Sequence, residues 1–364
     1  MPFEHGTFAV TMFSLPEPMP DNYLELFSQE KAGNLDAVKD EPQIGWVGGH
    51  HLLETTIDES TAICGGMVYL NLRKAERKIP SSWLKAVCKR EERAYQQTHQ
   101  TSRVPSNIKK EIKEKAVADY LPQVPPTLVG IPMVIDLKSQ MLYLGTASTA
   151  QIDLFIETFY KTIGIEPFPV NPDYFLAEDF QIAAVDLPNV MFSESGDGEV
   201  TTGRDFLTWL WYFSEQDGGG ALTVDPYGEF AFYIQGPLTF SIASETRGAA
   251  ENTVKNGDPL RAAESKTALT VGKKLKKAKV VLERGNDVWT GAFDADQFAF
   301  NGLTLPDGDE MEPESAFAER IANLNIFRTV LAAYFKRFVK TLLSDKWGEE
   351  ENKIRQWVDE RESR

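Results

Sequence analysis

The order of apolar and polar positions predicts a β/α-rich first part of the chain and a differently patterned remainder. Gly6–Leu15 alternates imperfectly and is rich in Phe, Val and Thr, which predicts a strand. Asp21 is placed to cap a short helix running to about Asn34. Gly45-Trp46-Val47 opens a further strand or turn, and Thr61–Leu72 reads as a strand with a bulge or close backbone approach at Gly65-Gly66. Pro80-Ser81-Ser82 then starts a helix with serine as cap. Its apolar side is Leu84, Val87, Cys88 and Tyr95, beside a stripe of Lys85, Lys89 and Arg93. After a break at Ser102–Ser106, Pro105 or Ser106 starts a second helix. Ile108, Ile112 and Ala116 share one face of it, Lys109 and Lys113 line another, Lys110 extends that line, and Leu121-Pro122 ends it. The two form a basic helical hairpin inserted into a sheet domain. Two strands, Thr127–Leu137 and Gln140–Thr146, flank Lys138-Ser139, and a helix capped by Ser148 or Thr149 runs to Ile163 and stops at Gly164.

After Pro172 the pattern changes. Gly203–Gln216 is apolar on nearly all sides around Phe206–Phe213, as in a buried helix or an assembly contact. Strands follow at Ala221–Val224, Glu229–Gln235 and Leu238–Ile242, with turns at Asp225–Gly228 and Gly236-Pro237. Lys279–Glu283 and Val288–Phe293 form a hairpin, and Leu305–Pro313 is an acidic loop. Glu314–Ser344 is a long helix whose inward stripe is Phe317, Ile321, Leu324, Phe327, Leu331 and Phe335. The residues after Trp347 form a charged tail with one short helix. The class is α+β, in three parts: an N-terminal α+β domain over 1–172 with the basic insertion at about 80–122, a β-rich middle over 173–306, and a helical region over 307–364.

Charge changes this picture. The 364 residues carry a net charge of −16, which argues against a polyanionic partner. The distribution is uneven, however. Arg73–Lys115 holds 13 Lys/Arg against 5 Glu, a net of +8, and Lys266–Arg284 holds 7 against 1, a net of +6, leaving −30 on the rest. Two basic segments in an acidic body describe either solvated surfaces or a basic groove or ring lining whose exterior repels nucleic acid. No apolar run approaches the ~18–20 residues of a membrane span, and acidic Glu4 in place of a basic n-region argues against a signal peptide. Two cysteines, Cys64 and Cys88, make no disulfide framework. A cytoplasmic protein is expected.

Several motifs, taken in order, resemble one family. GWV at Gly45–Val47 precedes RKAERKIPSS at Arg73–Ser82, the charged helix pair and Leu121-Pro122. VID at Val134–Asp136, LGTAS at Leu144–Ser148 and IGIEPFPVNP at Ile163–Pro172 follow. This order resembles the N-terminal part of RdgC proteins, with a weaker echo in GKKLKKAKVVL at Gly272–Leu282. The resemblance implies an RdgC-like fold of mixed sheets with an inserted helical hairpin. It implies a horseshoe subunit that closes with a second copy into a ring dimer around double-stranded DNA. It also implies a nucleoid-associated protein that binds duplex without sequence preference and restrains RecA-driven strand exchange. The family carries an exonuclease label, but no catalytic signature stands in this sequence, and no enzyme activity, metal or cofactor is expected.

The residues offer three chemistries. Lys and Arg four apart on a helix rise about 6 Å, a spacing suited to successive phosphates rather than base edges. The candidate DNA contacts are Lys85, Lys89, Arg93, Lys109, Lys110 and Lys113, with Lys273, Lys274, Lys276, Lys277 and Lys279. A metal-dependent nuclease would use Asp136 with Lys138, or Glu264 with Lys266, the carboxylate holding Mg²⁺ while lysine activates water. A zinc site from His50, His51, Cys64 and Cys88 matches no tetrahedral spacing. No P-loop, GxSxG or dinucleotide motif falls where a strand meets a helix. A protein-interaction module without DNA binding is the alternative, with Asp307, Asp309, Glu310, Glu312 and Glu314 facing a basic partner. Phe206–Phe213 is a candidate dimer element, or core.

Overall fold

The computed structural model describes residues 2–195, 200–242 and 250–362. They form a mixed α+β fold with a large antiparallel sheet and, among the described residues, ten α-helices. The strand pairs with assigned register among the described residues are antiparallel, and an isolated bridge between Lys31 and Trp46 is parallel.

The chain divides into two compact units, neither bounded at 172 or 306. The first comprises residues 1–19, 64–68 and 132–364; the second comprises 20–63 and 69–131. Both are discontinuous because strand pairing joins segments far apart in sequence.

In the first unit, neighbouring strands run in the order Glu251–Val254, Gly228–Ser241, Lys274–Arg284, Asp287–Asp294, Ala299–Thr304, Phe8–Ser14 and Met141–Leu144. The core lies against two helices. Thr202–Ser214 buries Phe206, Leu207, Trp209, Leu210 and Trp211 to 1% exposure or less. This overturns the assembly-contact reading: these side chains are core within one subunit. They meet the stripe of the long helix Pro313–Leu342, with Phe206 5.2 Å from Phe335 and Trp209 5.4 Å from Phe338 between ring centroids. Each such buried side chain contributes roughly 1.5–3 kcal/mol. All six residues of the expected inward stripe, Phe317 to Phe335, are buried. Helix Thr149–Ile163 ends at Gly164, whose φ of 83° is the left-handed cap conformation.

Several boundaries differ from expectation for local reasons. Gly236-Pro237 is not a turn: Gly228–Ser241 is one strand, and its pairing with Lys274–Arg284 shifts register there, which absorbs a proline that cannot donate. The Thr61–Leu72 strand is instead a helical turn at Glu59–Ala62, a two-residue strand, and Met67–Glu76. Gly65 and Gly66 make the turn between them, at φ of 55° and 78°. A Cβ on Gly65 would come within 2.9 Å of the Ala318 Cβ, so backbone and helix do approach closely. A helix at Ala263–Thr270, which buries Ser265, Ala268 and Leu269, was indicated by no sequence pattern, and Pro172–Phe180 is a second.

The second unit holds the edge strand Gln43–Gly48, paired in register with Met67–Glu76 from Gln43 opposite Ala75 to Gly48 opposite Leu70. The first half of Thr127–Asp136 neighbours that strand on its other side. The helix expected from Asp21 is shorter, Tyr23–Gln29, and Asn22 occupies its cap position without a side-chain bond. Between the two longer strands stands the expected insertion, helices Ser81–Thr98 and Ser106–Tyr120. Prolines, not serines, precede both: Pro80 and Pro105 hold the cap positions.

Candidate nucleic-acid interface

The hairpin is held at its base by one side chain. Arg77, just before the first helix, donates Nε to the Val38 carbonyl at 2.7 Å and Nη1 to the carbonyls of Pro122 (3.0 Å) and Val124, just after the second helix. One planar guanidinium thus joins the entry and exit of the insertion. Arg73 is also structural: it is 2% exposed and donates to Leu52 (3.2 Å) and Gly33 (2.5 Å). Both were counted among the basic charges of the segment, and neither is available to a ligand as the surface lysines are. The helices meet through Val87 and Ala116, which are buried, and through Trp83 edge-on to Tyr120 at 4.5 Å.

Lys85, Lys89 and Arg93 are exposed and recur at successive turns. Two and six residues from buried Val87, Lys85 and Arg93 lie on the opposite side of the helix at 100° per residue. Lys109, Lys110 and Lys113 are exposed on the second helix. Lys109 lies 3.8 Å from Glu92, and Lys110 3.6 Å from Glu114; both pairs are exposed and weak. Lys110 and Lys113 share a cavity of about 760 Å³ with Lys39 and with acidic Asp36, Asp40 and Glu114. Lys39 was not anticipated, because it sits in a loop outside any charge run.

The second basic segment differs. The pleat of strand Lys274–Arg284 turns Lys274 inward, 6% exposed, where its Nζ lies 2.5 Å from buried Asp205. Lys276 pairs with Glu251 at 2.7 Å and approaches Asp296 at 3.9 Å; Lys277 pairs with Asp294 at 2.7 Å. Lys273 donates to Asn252 at 2.9 Å, and Lys279 is half-buried. Lys274 is therefore withdrawn as a DNA contact, and Lys276 and Lys277 are neutralised by carboxylates that sequence spacing could not place beside them.

The nuclease candidates serve other ends. Asp136 accepts from the Lys138 amide (3.0 Å), the Ser139 amide (3.4 Å), Ser139 Oγ (2.7 Å) and Asn325 (3.4 Å). Burial raises the pKa of Asp136, but these hydrogen bonds outweigh it and hold the carboxyl below its ordinary value. Lys266 donates to the carbonyls of Asp359 (2.9 Å) and Arg361 (2.8 Å), at the end of helix Trp347–Glu360, while Glu264 is an exposed helix residue. Among the described residues no three His, Cys, Asp or Glu side chains gather as a metal site would require.

Of the zinc candidates, His50 packs edge-on to Tyr69 at 5.5 Å. Cys64 is buried, and burial, reinforced by Glu314, Glu4 and Glu312, pushes its thiol up to about 11. At pH 8 only about one Cys64 in a thousand is then thiolate. Brief iodoacetamide treatment of the native protein should label the half-buried Cys88 and spare Cys64, read by peptide mass; equal labelling would contradict this burial.

Residues 10–177 match the family model described as "Putative exonuclease, RdgC". Over these residues the chain is similar to the RdgC family. The matched span contains the whole hairpin with its clamp and stops short of the Lys273–Lys279 strand. A search of curated proteins gives no match. The RdgC similarity agrees with the motif order between Gly45 and Pro172, and the hairpin is the element that distinguishes this span chemically.

Proposed function

We propose that this chain binds double-stranded DNA without reading its sequence, through the hairpin. The observation that carries the reading is the stripe of Lys85, Lys89 and Arg93, exposed at successive turns, while Lys274, Lys276 and Lys277 of the other basic run form ion pairs within the chain. Within a body of net charge −16, such a stripe concentrates attraction for phosphates on one element. Rigid mounting through Arg77 sets its direction. The wider reading follows the family: a homodimer that encloses the duplex as a ring, acts in the nucleoid, and restrains RecA-driven recombination by occupying DNA rather than by cutting it. The engagement of Asp136 and Lys266 elsewhere supports the non-catalytic form of this proposal.

The test is binding of a blunt linear duplex across a salt series, for the native chain and for Lys85→Glu/Lys89→Glu/Arg93→Glu. Affinity should fall with salt, and the log–log slope should drop by about 3 in the variant, near 0.9 per lost phosphate contact. Absence of binding at low salt would remove the DNA reading and favour the acidic interaction module. Shortening of an end-labelled duplex with Mg²⁺, but not with EDTA, would replace the non-catalytic reading with the nuclease.

A further inference from the structure

A second cationic feature lies far from the hairpin in sequence, within the first unit. A cavity of about 240 Å³ is lined by Trp209, Arg337, Lys340, Thr341, Ser344 and Lys346, with Phe213 and Glu350 completing the wall. Arg337, Lys340 and Thr341 stand at spacings of three and four on the long helix, so they share a face. Ser344 and Lys346 follow in the turn before helix Trp347–Glu360, and Lys346 is the cap residue of that helix, whose first turn carries positive dipole charge.

Two observations separate this cavity from an ordinary solvated surface. Neighbouring cations are paired: Lys336 with Asp179 at 2.8 Å, Lys353 with Glu350 at 3.2 Å, Arg355 with Glu351 at 3.2 Å. Among the described residues, none of Arg337, Lys340 and Lys346 has such a partner, in a chain where acidic residues outnumber basic ones by 54 to 38. The single lining carboxylate, Glu350, is already engaged, accepting from Tyr212 Oη at 3.0 Å and from Lys353. Independently, Trp209 is 1% exposed and its indole Nε1 is buried with no acceptor. A buried donor without an acceptor is uncommon in folded proteins, and here it belongs to a side chain on the wall of the cavity.

We propose that this cavity binds a phosphate group. Three cations without carboxylate partners converge on one cavity beside a helix N-terminus, and a compact tetrahedral oxyanion such as phosphate or a phosphomonoester is the ligand that this charge and volume suit; the Thr341 and Ser344 hydroxyls already donate to the carbonyls of Arg337 and Thr341 and are left as wall groups. The phosphate can come from a small molecule or from a nucleic-acid 5′ end, which present the same chemistry. The site is independent of the hairpin and of the proposed DNA reading.

The experiment is thermal unfolding and calorimetric titration of the full chain with inorganic phosphate against sodium chloride at matched ionic strength. Saturable binding with a raised melting temperature is expected. Arg337→Gln/Lys340→Gln, both exposed and so tolerated by the fold, should weaken it about tenfold or more. The hairpin triple variant should bind phosphate like the native chain. A duplex with and without 5′ phosphates distinguishes the sources: tighter binding of the phosphorylated form, lost in Arg337→Gln/Lys340→Gln, assigns the site to nucleic-acid ends, and equal binding assigns it to a small phosphate. Phosphate that acts no differently from chloride, or equally on the folded double variant, overturns the proposal.

Discussion

Replacing Asp205 with alanine should destabilise the chain by about 3–5 kcal/mol, because it removes the carboxylate that pairs with the buried Lys274 ammonium. The carboxylate lies 2.5 Å from Lys274 Nζ and also accepts from the Thr201 amide at 3.2 Å and Thr201 Oγ1 at 3.4 Å. Burial is nevertheless the stronger influence on it: desolvation pushes its pKa up to about 6 against the pull of Lys274. That balance predicts that Asp205→Asn/Lys274→Met, which removes both charges, will recover most of the loss. The sign of the pH effect follows from the same shift. Between about 3.8 and 6 the folded chain holds a proton that the unfolded chain has released, so this group's contribution to stability falls as pH rises through that window. Urea midpoints at pH 4 and pH 7 for the native chain, Asp205→Ala, Asp205→Asn and the double variant check both claims. A cost below about 1 kcal/mol for Asp205→Ala would contradict a buried pair.

The second large effect is expected at Arg361. Its guanidinium, with the side chain 7% exposed, donates to Glu215 at 2.7 and 2.8 Å and to the Leu260 carbonyl at 3.0 and 3.2 Å. It also lies 4.0 Å from the Trp211 ring centroid and 4.7 Å from that of Trp357. Glu215 in turn accepts from both indole N–H groups, at 2.9 and 2.7 Å. Helix Trp347–Glu360 buries only Ile354 and Val358, so this cage is a major part of its attachment. Arg361→Ala should cost about 2–3 kcal/mol, the sum of a charge-assisted bidentate pair and a cation–π contact, discounted because Glu215 is 37% exposed. Arg361→Lys should cost nearly as much, since ammonium neither forks nor stacks in the same way. Melting temperature and near-ultraviolet circular dichroism of the two tryptophans provide the readout; a lysine variant identical to the native chain would show that charge alone matters.

The readable part of the structure was the part specified by neighbours in sequence. The stripe from Phe317 to Phe335, the Gly164 stop and the Ser81–Tyr120 hairpin follow from helical periodicity and breakers, and the structure has them. Phe206–Phe213 was ambiguous because a helix apolar on all sides looks alike whether its cover is Phe335 or another molecule. Lys273–Lys279 misled for a related reason: charge runs show how many cations are present, but only tertiary packing sets Asp205, from a helix, and Glu251 and Asp294, from other strands, beside them. Arg77 looked like surface charge, and its three carbonyl partners come from segments 39 to 47 residues away. The cavity at Trp209 escaped notice because it joins two helices more than 120 residues apart.

Strand Phe8–Ser14 bears on how the chain is made. Two of its partners, Met141–Leu144 and the short Phe168–Pro169, emerge first from the ribosome, but the third, Ala299–Thr304, comes about 160 residues after Met141–Leu144. At roughly 5–20 residues per second, that flank of the strand waits about 8–32 s during synthesis with its amides and carbonyls open. An unpaired edge of this kind is a template for mispairing between nascent chains. The yield of native protein in a cell should therefore depend on translation speed across the second half of the message and on chaperones that cover a waiting edge, more than on the stability of the finished fold.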